Sequence, residues 1–280
     1  MTLSRREVVD LLGRHGIRPS RALGQNFVVD PNTVRRIARL AGVGPDDRVV
    51  EIGAGVGSLT TALAETGAEV VAVELDRYLV PVLRQVVEPA GVRVVEGDAF
   101  RLDWDAVLGP ATDGPPWALV ANLPYNVATP LVLDLLEQVP AIGRMLVMVQ
   151  REVGERLAAA PSTPAYGAVS VKVAYRAEAA VVGRVPSTVF VPRPRVESVL
   201  VSVARRPAPA VQVDERLLFE LIEAGFAHRR KMLRGALAGL VTPPVFEAAG
   251  IRPQARAEEL SIEAWGRLTA CASSTGPSPS

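Results

Sequence analysis

RVVEIGAGVGSLTTALAETGAEVVAVELD, running from Arg48 to Asp76, decides the fold. It opens on a β-branched run (Val49, Val50, Ile52) and passes through Gly53-Ala-Gly55-Val-Gly57. It continues with Leu59 and Leu63 four residues apart, then returns to a second apolar run, Val70 to Val73, closed by Glu74-Leu75-Asp76. Apolar residues four apart mark a helix face, whereas short β-branched runs bounded by turn residues read as buried strands. Strand, glycine turn, helix, strand is a βαβ unit, and such units build a parallel sheet covered by helices on both faces.

The same unit recurs outward from this stretch. Val92 to Asp98 supplies a third strand, Ala118 to Asn122 a fourth, Leu131 to Leu136 a helix, and Met145 to Val149 a fifth strand. Upstream, Ser4 and Glu7 form a capping box for a helix that Gly16 ends, and Asp30-Pro31 starts another that Gly42 ends. Downstream, Val169 to Tyr175 and Ser198 to Val203 alternate with period two and are expected to be strands, antiparallel at one edge. After Pro207-Ala-Pro-Ala210 the pattern turns helical (Leu217, Leu218, Leu221, Ile222, then Met232, Leu233, Leu237). The expected architecture is α/β: a Rossmann-like sheet domain over 1–206, a small helical domain over 211–270, and a Ser/Pro-rich disordered tail over 271–280.

At 280 residues, 49% hydrophobic and 22% charged, the composition is that of an ordinary soluble protein. No stretch is long and apolar enough to span a membrane and the start lacks a signal-peptide core, so a cytoplasmic location without membrane association is expected. The single cysteine, Cys271, excludes disulfides and cysteine metal sites within the chain. Charge is uneven: residues 1–40 hold eight Arg against three acids, 41–120 five Arg against thirteen acids, and 191–235 nine basic against five acidic residues. An acidic middle between basic flanks suits a small cation in the core and a polyanion at the edges.

Glu51, Glu74, Asp98 and Asn122 stand at or just past the ends of the first four strands, at intervals of 23, 24 and 24 residues. Ligands of open parallel sheets bind outside the carboxyl ends of the strands, so four polar groups in register predict a binding rim. The glycines at 53 and 55 allow close backbone approach, but Ser58 stands where a dinucleotide fingerprint needs Gly or Ala. Glu74 lies where an acid takes ribose hydroxyls, and Glu51 favours a cation over pyrophosphate. An adenosyl ligand with a positive centre and no phosphate fits S-adenosylmethionine. In Leu119-Val-Ala-Asn-Leu-Pro-Tyr125, Pro124 stiffens the chain as it leaves the strand. The Asn122 amide and the Leu123 carbonyl can then face one point beside an aromatic ring, a setting for a flat, amine-bearing base.

Gly24-Gln-Asn-Phe27, Val50-Glu-Ile-Gly-Ala-Gly-Val-Gly57, Val73-Glu-Leu-Asp76, Gly97-Asp98, Asn122-Leu-Pro-Tyr125 and Val189-Phe-Val-Pro-Arg-Pro-Arg-Val-Glu-Ser198 resemble, in that order, the rRNA adenine N6-dimethyltransferases. The Leu in Asn-Leu-Pro-Tyr and the run Arg229-Arg-Lys-Met-Leu-Arg234 are similar to the small-subunit branch, although Met232 stands where Thr is common. The resemblance implies a class I methyltransferase sheet, a cofactor held by Asn26, Val28, Gly53, Glu74, Asp98 and Asn122, with Glu51 and Gly55 beside it, and a lid formed by Asn26 and Val28. It further implies that Asn122 and the Leu123 carbonyl, in the turn stiffened by Pro124, grip the target amine, that Tyr125 and Phe190 stack on the flipped adenine, and that Arg229, Arg230, Lys231 and Arg234 on a basic helix touch RNA. The implied partner is 16S rRNA within the small ribosomal subunit, met by a monomer.

No metal is expected, since methyl transfer to an exocyclic amine is a matter of positioning and electrostatics. His15 and His228 lie far from the rim motifs, and Trp104, Trp117 and Trp265 are read as packing residues. Two other readings use the same residues: methylation of large-subunit rRNA or DNA, and an inactive RNA-binding assembly factor.

Overall fold

The computed structural model describes residues 2–20, 23–228 and 230–275. In chain order the elements are α1 (Arg5–Arg14), β1 (Phe27–Val28), α2 (Pro31–Ala41), β2 (Arg48–Ile52), α3 (Ser58–Ala64), β3 (Glu69–Glu74) and α4 (Val80–Val87). Then come β4 (Arg93–Glu96), α5 (Trp104–Leu108), β5 (Trp117–Asn122), α6 (Ala128–Gln138), β6 (Ile142–Gln150) and α7 (Arg151–Leu157). The remainder is α8 (Ala168–Arg176), β7 (Ala177–Val185), β8 (Phe190–Val191), β9 (Ser198–Arg205), α9 (Glu215–Phe226), α10 (Leu233–Ala236), α11 (Pro243–Ala248) and α12 (Ile262–Thr275).

Local chemistry sets the helix ends. The Ser4 hydroxyl accepts from the Glu7 N–H while a Glu7 carboxylate oxygen accepts from the Ser4 N–H, closing the capping box of α1. Asp30 caps α2 by accepting from the Thr33 N–H, Pro31 occupies the first turn, and Gly42 ends the helix in the left-handed region.

The main sheet has seven strands in the order β4-β3-β2-β5-β6-β9-β7. Pairing is parallel from β4 through β6, and β9 runs antiparallel to β6. Because β3 and β4 lie on one side of β2 while β5 lies on the other, the strand order reverses between β2 and β5. The crevice outside their carboxyl ends is the natural ligand site of such a sheet. Val49, Val50, Val71, Leu119 and Val147 are fully buried, as continuous apolar strands covered on both faces must be.

The chain divides into two compact units: one of residues up to Gly154 with Ala180–Arg205, the other of Glu155–Ala179 with the chain from Arg206 onward. The division falls at 205/206, near the expected boundary, but the second unit also takes in Glu155–Ala179, which was expected in the first. Val169 to Tyr175, expected as a strand, is the helix α8. Its Val171 and Tyr175 are buried with Leu218, Leu221 and Trp265, and the Ser170 hydroxyl accepts from the Gly167 N–H at its start. Burial on a 3.6-residue period overrides β-propensity here. The strand lies just beyond, as β7. Of the tail expected to be disordered from 271, residues 271–275 instead continue α12, which runs through Thr275; residues 276–280 lie outside those described. Among the described residues, no helix is long and apolar enough to cross a membrane. All three tryptophans are packed: Trp265 is fully buried, and the indole N–H groups of Trp104 and Trp117 donate to Ala99 O and Leu108 O.

Candidate active site

At the switch point the chain leaves β2 through Gly53, Gly55 and Gly57, with φ of +74°, +61° and +88°. Only glycine holds such angles without strain, and at Gly55 a Cβ would also stand 2.9 Å from the Phe27 ring. The loop is pinned from β3: the Gly55 N–H donates to Glu74 Oε2 at 2.7 Å, and the Asp76 N–H donates to Oε1 at 2.9 Å. Glu74 is thus immobilised at 6% exposure with further lone pairs free for hydroxyl donors, and burial raises its pKa.

A cavity of about 240 Å³ opens over this loop. The strand ends supply Glu51, Glu74, Asp98 and Asn122, the loop supplies Gly53 and Gly55, and Leu123, Pro124 and Tyr125 follow β5. Asn26 and Val28 close it from the N-terminal side, where Gln25 donates to Asp76 Oδ2 at 2.9 Å. The sequence reading brought all of these together. Glu51, however, does not carry the expected charge: at 1% exposure, burial raises its pKa to about 8, against a hydrogen bond from Thr60 at 2.5 Å and with repulsion from Glu74. At neutral pH it is mostly protonated.

Asn122 carries the most telling feature. Its Nδ2 donates to the Asn26 carbonyl at 2.8 Å, so the amide is turned with Oδ1 on its other side. Among the described residues that buried oxygen has no hydrogen-bond partner. A buried acceptor left unpaired costs about 1–3 kcal/mol, which a donor entering the cavity recovers. The Leu123 N–H is tied to Met148 O at 3.1 Å, which continues the β5–β6 ladder and fixes the backbone before Pro124. Tyr125 is half-buried, and its hydroxyl lies 2.6 Å from Ser198 Oγ.

Phe190 does not line the cavity, contrary to expectation. It is 1% exposed and packs among Val28, Val185 and Leu200. The cause is the two-stranded pairing of β1 with β8, Phe27 opposite Val191 and Val28 opposite Phe190, which turns this ring into the core. The basic run in the second unit also differs from the expected helix. Residues 230–232 precede α10, only Leu233–Ala236 is helical, and Met232 bridges to Arg256. Arg230, Lys231 and Arg234 are exposed, and Arg229 lies outside the described residues.

Leu75, Phe100 and Ser58 are among the wall residues that the sequence did not single out as such. Leu75 and Phe100, 51% and 42% exposed, offer apolar faces beside Glu74 and Asp98, and the buried Ser58 hydroxyl has no partner among the described residues. A large apolar residue one or two positions after the strand-end acid, Leu75 after Glu74 and Phe100 after Asp98, was the available signal. The donor set fits the cofactor: a glycine cradle, a fixed carboxylate with spare lone pairs for a ribose, an acid between apolar plates for an adenine.

An S-adenosylmethionine-dependent methyltransferase is the class of protein that this sheet, with its switch-point cavity, defines. The family model described as ribosomal RNA adenine dimethylase matches residues 17–273, and the chain belongs to that family. Proteins named ribosomal RNA small subunit methyltransferase A are similar throughout. The one from Kineococcus radiotolerans is 49% identical, covering 96% of this chain and 91% of the relative, and the one from Nocardia farcinica is 49% identical, covering 94% and 93%. Among solved structures, a dimethyladenosine transferase from Plasmodium falciparum has a TM-score of 0.73 at 22% identity, covering 85% of this chain and 94% of that one. The 23S rRNA methyltransferase ErmE has a TM-score of 0.67 at 24% identity, covering 88% and 99%; both agree in fold.

Proposed function

We propose that this chain uses S-adenosylmethionine to dimethylate N6 of two adjacent adenines near the 3′ end of 16S rRNA, as a cytoplasmic monomer acting on the small ribosomal subunit during its biogenesis. The observation that carries the reading is the buried Oδ1 of Asn122, without a partner among the described residues, at the mouth of the Leu-Pro-Tyr turn. An adenine N6 is a poor nucleophile because its lone pair is delocalised into the ring. Asn122 Oδ1 and the Leu123 carbonyl accept its two N–H bonds, which favours a pyramidal nitrogen whose lone pair is free to attack. Bound S-adenosylmethionine supplies an electrophilic methyl group on a sulfonium. Gly53, Gly55, Glu74 and Asp98 hold the cofactor, and Asn26 and Val28 close over it.

Tyr125 stacks on the flipped base, offsetting the lost stacking by about 1–3 kcal/mol. With Phe190 in the core, that stacking rests on Tyr125. No residue need act as a strong base, since the nitrogen becomes acidic only as the new bond forms and water then takes the proton. The exposed Arg230, Lys231 and Arg234 give the second unit a phosphate-binding surface.

Incubation with labelled S-adenosylmethionine and undermethylated small subunits, beside large subunits and DNA, tests the reading. Label should enter small-subunit rRNA as N6,N6-dimethyladenine. Label only in large subunits or DNA, or in none of the three, overturns it.

A further inference from the structure

Tyr125 leaves the Pro124 turn with its backbone clasped: a Cβ at Gly24, on the N-terminal segment, would lie 3.2 Å from Tyr125 N and 3.3 Å from Pro124 Cβ. What holds the ring is its far end, where the phenol oxygen meets Ser198 Oγ at 2.6 Å, at the short side of ordinary O–H···O geometry. Ser198 is fully buried and opens β9, opposite Gln150 of β6, and the adjoining Glu197 carbonyl accepts the Arg151 N–H at 3.0 Å. The serine hydroxyl is therefore mounted on the rigid sheet, whereas the tyrosine stands on a loop. Fixing the phenol oxygen fixes the axis of the ring. Because a phenol oxygen donates and accepts hydrogen bonds near the ring plane, the same bond, whichever hydroxyl donates, restricts rotation about that axis.

We propose that Ser198 is a positioning residue for the transfer, setting through the Tyr125 hydroxyl the plane on which the target adenine rests. The inference depends on the stacking role given to Tyr125 above. Ser198 touches neither base nor cofactor. Its work is to keep the base at the height where N6 meets Asn122 Oδ1, for both methylations of each adenine.

The test uses the full chain and undermethylated small subunits with five variants: S198A, S198T, Y125F, the double Y125F/S198A, and Y125A. S198A and Y125F should each lower kcat about tenfold, as slight misplacement of a reacting group does, while S-adenosylmethionine affinity stays at the wild-type value. Both should raise the share of N6-monomethyladenine, because the second transfer needs the same plane held again. The double variant should be no slower than either single one, and S198T should recover most of the rate. Multiplying losses in the double variant, or wild-type turnover of S198A and Y125F beside an impaired Y125A, overturns the role of Ser198 alone. Full turnover by Y125A overturns the stacking role of Tyr125 and the inference with it.

Discussion

At the scale of single residues, Asn122 divides its amide between two tasks. Nδ2 donates to the Asn26 carbonyl and, in the proposed reading, Oδ1 accepts from the target amine, so truncation removes an acceptor used most fully as that amine pyramidalises. N122A is expected to lower kcat by about 10²–10³-fold, with small-subunit binding largely intact; single-turnover rates and a subunit-binding assay check this. Glu51 makes a different prediction. Its pKa rises from 4.5 to about 8 on folding, because burial penalises the carboxylate. A raised acid stabilises the fold fully below its unfolded pKa, and that contribution is lost as pH rises through the folded value. The ligand-free protein should therefore lose Tm between about pH 5 and pH 9 relative to E51Q, which has no such proton to lose. Parallel Tm curves for the two proteins would show that Glu51 does not titrate in this window. The four strand-end groups were legible because one βα unit repeats at nearly constant length, so spacing alone puts them in one rim. Phe190 was not, because its burial depends on a strand pairing with Val28, more than 160 positions away in the chain.

At the scale of elements, the glycine loop and β1 depend on each other. Gly55 sits at φ +61° with the Phe27 ring where a Cβ would go, and Phe27 belongs to the strand that carries the lid. G55A should cost about 1–2 kcal/mol for the left-handed backbone, and the ring must move as well, giving a Tm about 3–6 °C lower. Thermal melts and equilibrium dialysis with S-adenosylmethionine check it, and an unchanged Tm with unchanged affinity would show that loop and lid are uncoupled. Elements whose pattern and caps agree, such as α2 with Asp30, Pro31 and Gly42, were legible in full. α8 was not: Val-Ser-Val-Lys-Val alternates like a strand, and only the helices of the second unit that cover Val171 and Tyr175 decide otherwise. β1 and β8, two residues each, are too short to carry any period.

At the scale of the whole molecule, the chain joins an acidic, partly neutralised cavity to basic surface, and the two make separable demands on a substrate. In the proposed reading the cavity recognises one base and one cofactor by short-range contacts that salt barely alters, and the basic turn recognises phosphates through counterion release, which salt alters steeply. The triple variant R230A/K231A/R234A removes three exposed cations of the second unit and nothing from the wall of the cavity. Its affinity for S-adenosylmethionine should equal that of the wild type. Its KM for undermethylated small subunits should rise, and the slope of log KM against log salt should fall by about 2, at roughly 0.7 for each lost contact to single-stranded phosphate. If the turn were an ordinary solvated surface, KM would move little and the salt slope would not change. Should kcat fall while KM and slope hold, the cations would be acting on the chemistry, and the separation between docking and catalysis would have to be abandoned.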